Sequence, residues 1–119
     1  MTVKECYDAI GADYDDVFSR LRKDDRIRKF LLKVLDDKSY ELLLNSIEAR
    51  DMAEAFRAAH TLKGVCQNLS LTRLYHSSSR LSDVLRDRQE YGEDIAEALE
   101  PVKEDYAQMI EYIGKLAEE

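Results

Sequence analysis

Tryptophan is absent from this chain, and there is one proline, four glycines and two cysteines. So few turn formers exclude a loop-rich, collagen-like or disordered polypeptide. Cys6 and Cys66 lack metal-ligand spacing, and a single pair is no disulfide framework. Alternation of Val, Ile and Thr is nearly missing, which removes the main strand signal. No Lys/Arg block is long enough to follow a phosphate backbone, and the net charge is −7, so nucleic acid is not an expected partner. No apolar run approaches the length needed to cross a bilayer, and Met1-Thr2-Val3-Lys4-Glu5 does not open a signal peptide. These absences lead us to expect a soluble, cytoplasmic protein with no membrane contact.

Leu, Ala, Glu, Asp, Lys and Arg dominate, and the apolar fraction of 45% is enough for a core. The 119 residues suit one domain, and the composition predicts an all-α fold. Thr2 caps a short helix to Ile10 that Gly11 ends. Asp13 caps a second with Tyr14, Val17, Phe18 and Leu21. Asp24 or Asp25 caps a third with Ile27, Phe30, Leu31, Val34 and Leu35 on one face.

A break is expected at Asp36-Asp37-Lys38-Ser39. The stripe upstream and the stripe Tyr40, Leu43, Leu44, Ile47 downstream are out of phase by about 240° at the helical period. Two helices joined at Asp37 reconcile them, as does one long helix whose halves touch different neighbours. Asp51 caps the next helix, with Glu54 at capping-box spacing. Ser70 or Thr72 caps a helix carrying Leu74, Ser78, Leu81 and Leu85, closed by Tyr91-Gly92. The last helix carries Ile95, Leu99, Val102, Tyr106, Met109, Ile113 and Leu116 in phase through Pro101, which should kink it without ending it. The predicted architecture is an antiparallel up-down four-helix bundle over residues 37–119, with the short helices of residues 1–36 covering one end or side.

The helix beginning after Asp51 has two surfaces. Met52, Ala55, Phe56, Ala59, Leu62, Cys66 and Leu69 form an apolar stripe. His60 is turned about 100° from Ala59, onto the shoulder of that stripe and toward water. Lys63, Gly64 and Gln67 follow it by three, four and seven residues and share its neighbourhood. The pattern sets a nucleophilic nitrogen beside a cation, with a glycine where a side chain would obstruct an approaching partner.

His60-Thr61-Leu62-Lys63-Gly64, preceded by Ala58-Ala59 and followed by Asn68-Leu69 and Leu74, resembles the histidine-containing phosphotransfer (HPt) domains of bacterial phosphorelays. The resemblance is strongest from Phe30 to Leu85. It implies a helical bundle and a phosphocarrier in two-component signalling, relaying a phosphoryl group between receiver domains through phospho-His60. Lys63 is then the basic neighbour and Gly64 the clearance for the docking receiver, with Gln67 shaping the surroundings. The implied partners are response-regulator receiver domains and a hybrid sensor histidine kinase. No cofactor is implied for this chain, because Mg2+ belongs to the partner receiver. Many members have glycine where this chain has Ser70. Some place on the next helix a glutamine that bonds the imidazole; Ser82 stands near that position, so Ser78, Ser82, a water or nothing orients the ring.

The chemistry suits these residues. A neutral imidazole attacks phosphorus with a ring lone pair, and a solvent-exposed histidine of ordinary pKa, about 6.5, is mostly neutral near pH 7. Phosphoryl transfer depends on in-line positioning and charge stabilisation. Lys63 supplies local positive charge, and Arg57 and Arg86 are secondary choices for that role. No triad, second catalytic carboxylate or metal cluster is visible, so independent enzyme activity is not expected, and a hydrolase using His60 as general base has little support. An adaptor that binds a receiver or kinase without carrying phosphate is the alternative. Cys66 reads as a core residue, His76 as a surface histidine and Ser78 as a small residue permitting close helix contact. The acidic runs read as caps and turns rather than calcium ligands. The start at Met1 and the length suit a free-standing protein.

Overall fold

The computed structural model describes all residues from Met1 to Glu119 as seven helices without a strand. They are α1 (Val3–Ala9), α2 (Tyr14–Leu21), α3 (Asp24–Val34), α4 (Ser39–Glu48), α5 (Met52–Asn68), α6 (Thr72–Leu85) and α7 (Glu93–Ala117). Side-chain caps fix three of the starts. The Thr2 hydroxyl accepts from the Glu5 N–H at 3.1 Å while the Glu5 carboxylate accepts from the Thr2 N–H at 2.8 Å. Asp13 accepts from the Asp16 N–H at 3.0 Å, and Asp51 from the Glu54 N–H at 3.1 Å. Each bond satisfies an N–H that has no partner inside its helix.

Three-residue connections turn the chain back after α4 and after α5, so α5 packs against both α4 and α6; α6 in turn packs against α7. Tyr40 of α4 and Tyr106 of α7 stack with ring centroids 3.7 Å apart and planes 7° from parallel, bringing those two helices together. The apolar stripes meet in one core, where Leu31, Leu43, Leu62, Leu81 and Ile113 are buried from five different helices. Truncating one such leucine to alanine costs about 2–5 kcal/mol. Pro101 lies inside α7, which continues on both sides of it.

The N-terminal helices secure one end of this assembly. The buried Tyr7 hydroxyl donates to the Leu69 carbonyl at 2.7 Å, and the Asp13 N–H donates to the Ser70 carbonyl at 2.9 Å. Arg28 donates to the Leu116 carbonyl at 3.3 Å, and the N-terminal amine pairs with Glu119.

Several local expectations are corrected. Asp24 and Asp25 do not cap α3; extended Lys23 precedes it, and both aspartates occupy its first turn, where the helix dipole favours negative charge. Asp24 instead accepts from the Tyr14 hydroxyl at 2.5 Å, which pushes that phenol's pKa up to about 12. The break does fall between α3 and α4, but Lys38 occupies the cap position and Asp37 accepts from the Ser39 N–H at 2.8 Å. Glu54 completes no capping box, because its carboxylate is taken by Arg57 at 2.6 Å. Leu71, not Ser70 or Thr72, stands at the start of α6, without a side-chain cap. That helix ends at Leu85, well before Tyr91-Gly92, since Arg86-Asp87-Arg88-Gln89-Glu90 supplies nothing apolar to bury. Gly92 instead stands at the cap position just before α7. Phe30 and Leu35, expected on the inner face of α3, are exposed.

Candidate functional site

α5 is clamped along one side and open along the other. Ala55, Ala58, Ala59, Leu62 and Cys66 are buried, and the Cys66 thiol is pushed up to about 12 by burial, consistent with a packing residue. His60, Thr61, Gln67 and Asn68 are exposed, with Lys63 and Gly64 half-buried between the two sides. Ala58 belongs to the core although the stripe read from spacing omitted it.

The His60 ring lies over Phe56, one turn back, with centroids 6.0 Å apart and planes 25° from parallel. The Arg86 guanidinium sits 5.8 Å from the other participant in that stack, the Phe56 ring. Spacing assigned Phe56 to the buried stripe; it is half-exposed and acts as a platform for the imidazole. An aromatic four residues before the histidine was the available signal.

An added Cβ on Gly64 would meet no atom within 4 Å. Close approach of another helix therefore does not explain this glycine. What it leaves open is solvent, one turn from His60. Lys63 forms no ion pair, whereas Arg57 is engaged with Glu54 at 2.6 Å and Arg86 with Asp83 at 3.2 Å.

Ser82 does not hydrogen-bond the imidazole. Its side chain is fully buried and its Oγ has no hydrogen-bond partner. Ser78 is also excluded from that role, since its hydroxyl donates back to the Leu74 carbonyl at 2.6 Å. Gln67 is separated from His60 by about 10 Å of helix rise. It lines a cleft of about 280 Å³ with Asp13, Asp16, Ser70 and the exposed His76.

Several hydrogen bonds hold the C-terminal end of α5. Arg20 donates to the Asn68 carbonyl at 2.9 Å, Tyr7 to that of Leu69, and the Leu71 N–H to that of Cys66 at 2.9 Å. Ser70 adopts the left-handed conformation with φ +56°, which explains why glycine suits this position. Its hydroxyl donates to the Asp16 carboxylate at 2.6 Å and accepts from Arg20 at 2.7 Å. Sequence spacing pointed to none of these long-range partners.

A family model, the Hpt domain, matches residues 31–116, from the last turn of α3 through nearly all of α7. The chain belongs to the Hpt domain family. Hpt domains serve phosphotransfer in phosphorelays, where they interact with receiver domains and kinases. The matched segment contains His60, Lys63, Gly64, Gln67 and Ser82, while α1 and α2 precede it. No curated protein and no solved structure gives a significant match. No helix of this Hpt domain is long and apolar enough to cross a membrane.

Proposed function

We propose that the protein is a phosphocarrier that relays a phosphoryl group between receiver domains through phospho-His60. One observation carries the reading: His60 is exposed midway along a helix whose opposite side is packed into the core, and the Gly64 surface beside it opens to solvent. Helices α4 to α7 would supply the family's antiparallel up-down bundle, with α1 to α3 covering one end.

In the transfer, the lone pair of the unprotonated ring nitrogen attacks phosphorus. An N–P bond forms as the bond between phosphorus and the partner's aspartate oxygen breaks, and the aspartate leaves as a carboxylate. The return step reverses these changes toward a second receiver. Phe56 restricts the ring by stacking, which lowers the entropy lost in reaching an in-line geometry. Lys63 offsets charge on the phosphoryl oxygens. The chain has no catalytic activity of its own in this reading, and it holds no cofactor; Mg2+ chemistry belongs to the receiver.

Incubation with a phosphorylated receiver domain tests the proposal. The expected product carries acid-labile, base-stable label that disappears in His60→Gln while helicity is unchanged. Label that persists in that variant rejects His60 as the acceptor. Stable binding of the receiver without any label would favour the adaptor reading.

A further inference from the structure

The net charge of −7 is distributed unevenly. Between Arg20 and Lys33 there are seven Lys/Arg against two aspartates, which leaves a net −12 on the rest of the chain. Arg26, Lys29 and Lys33 recur at three- and four-residue steps, so they share a face of α3 spanning about 60° of helix circumference, and Arg22 ends α2 just ahead of it in the left-handed conformation. All four are exposed, as is Lys23, and none of the five forms an ion pair. Asp24 is engaged by Tyr14; Asp25 and Asp36 flank the strip without pairing to it. Like charges at this spacing repel one another, and no internal partner offsets the repulsion.

This strip borders an apolar groove. Phe30 is 38% exposed, with the Lys33 ammonium 5.2 Å from its ring centroid. Phe30, Lys33 and Val34 of α3 line a groove of about 220 Å³ together with Asp37 and with Val65 and Asn68 of α5. Val65 adjoins Gly64 in the chain, and Asn68 stands two turns beyond His60. A cationic ridge on α3 thus adjoins an apolar groove that α3 shares with the C-terminal half of α5, the helix that carries His60.

We propose that the basic face of α3 steers and seats the acidic rim of a receiver domain's phosphorylation pocket, with the Phe30–Val65 groove taking an apolar side of that partner. The inference rests on the carrier reading above. A domain that carries phosphate on aspartate and binds a divalent cation must gather carboxylates around its pocket. A carrier of net −7 repels such a partner at long range, and a local positive strip on α3, next to the end of the acceptor helix, reverses that field over part of the docking surface. The strip lies mostly ahead of the matched family segment, so it distinguishes this chain within the family framework and would bias its choice of receiver.

The test uses the full chain with the combined substitutions Arg26→Glu, Lys29→Glu and Lys33→Glu. Transfer from a panel of receiver domains phosphorylated with acetyl phosphate is timed across a range of salt concentrations. Direct labelling of His60 by phosphoramidate is measured alongside. We expect the variant to accept phosphate from receivers about 10-fold or more slowly at low salt, the gap to the wild type closing as salt rises, with phosphoramidate labelling unchanged. Lys29→Gln with Lys33→Gln should give a smaller loss with the same salt response, which covers misfolding of the reversed-charge variant. Unaltered low-salt transfer, or a deficit insensitive to salt, would overturn the inference and leave the carrier reading intact. Failure of every receiver to label the wild type would overturn both. A salt-sensitive wild-type dimer abolished by the substitutions would assign the face to a second copy and also reject the inference.

Discussion

The Ser70 hydroxyl donates to the Asp16 carboxylate at 2.6 Å, joining the turn after the histidine helix to a short helix near the N-terminus. Arg20 closes the arrangement by donating to the same hydroxyl and to Asp16 at 2.7 Å each. The bond therefore anchors a residue held in the left-handed conformation at the end of α5.

Ser70→Ala should lower stability by about 1–2 kcal/mol, because the bonds to charged partners go while the unfavourable φ stays. Ser70→Gly should be close to neutral, since relief of backbone strain offsets the lost bonds. Urea unfolding of the two variants checks the contrast; equal losses would contradict it.

Asp16 sets a pH dependence. The hydrogen bond from Arg20, then that from Ser70, holds its carboxyl below the ordinary value of 3.8. A carboxyl depressed in the folded state adds stability above its unfolded pKa and loses it as pH falls through the folded one. Stability should therefore decline below about pH 4, and Asp16→Asn should make that decline shallower. Urea midpoints measured at pH 7 and across the acid range report the difference.

Gly64 separates stability from function. Because a Cβ there meets nothing, Gly64→Ala should stabilise α5 by up to about 1 kcal/mol. Gly64→Gln should also fold, yet transfer from a receiver should fall sharply as the longer side chain fills the approach beside His60. Thermal melts paired with transfer rates test both halves; full transfer by folded Gly64→Gln would refute the clearance role.

Ser82 carries a buried hydroxyl without a partner. Ser82→Ala should raise stability by about 1 kcal/mol, since an unpaired polar atom is removed from the core. Phosphoramidate labelling of His60 should not change, because the hydroxyl makes no bond to the imidazole. Slower labelling in this variant would restore an orienting role.

Periodicity was enough to locate what one helix must hide. The stripes of α5, α6 and α7 were largely legible because burial repeats with the helical turn, and the exposure of His60 was legible because it stands about 100° off the stripe of α5. Caps at Thr2, Asp13 and Asp51 were legible because a cap acts within three residues. The end of α6 was misjudged because a glycine that follows one helix and a glycine that precedes the next look alike in one dimension.

Local pattern alone thus dictated an all-helical chain, most of its inner faces and the histidine left facing solvent. Tertiary structure decided what spacing cannot encode. Phe56 became the imidazole's platform, Ser82 was sealed without a partner, and Tyr7, Asp16 and Arg20 reached across the chain to finish α5. The division is physical: helix periodicity and capping are short-range in sequence, whereas a hydrogen bond between residues 16 and 70 exists only after packing has brought two helix ends together.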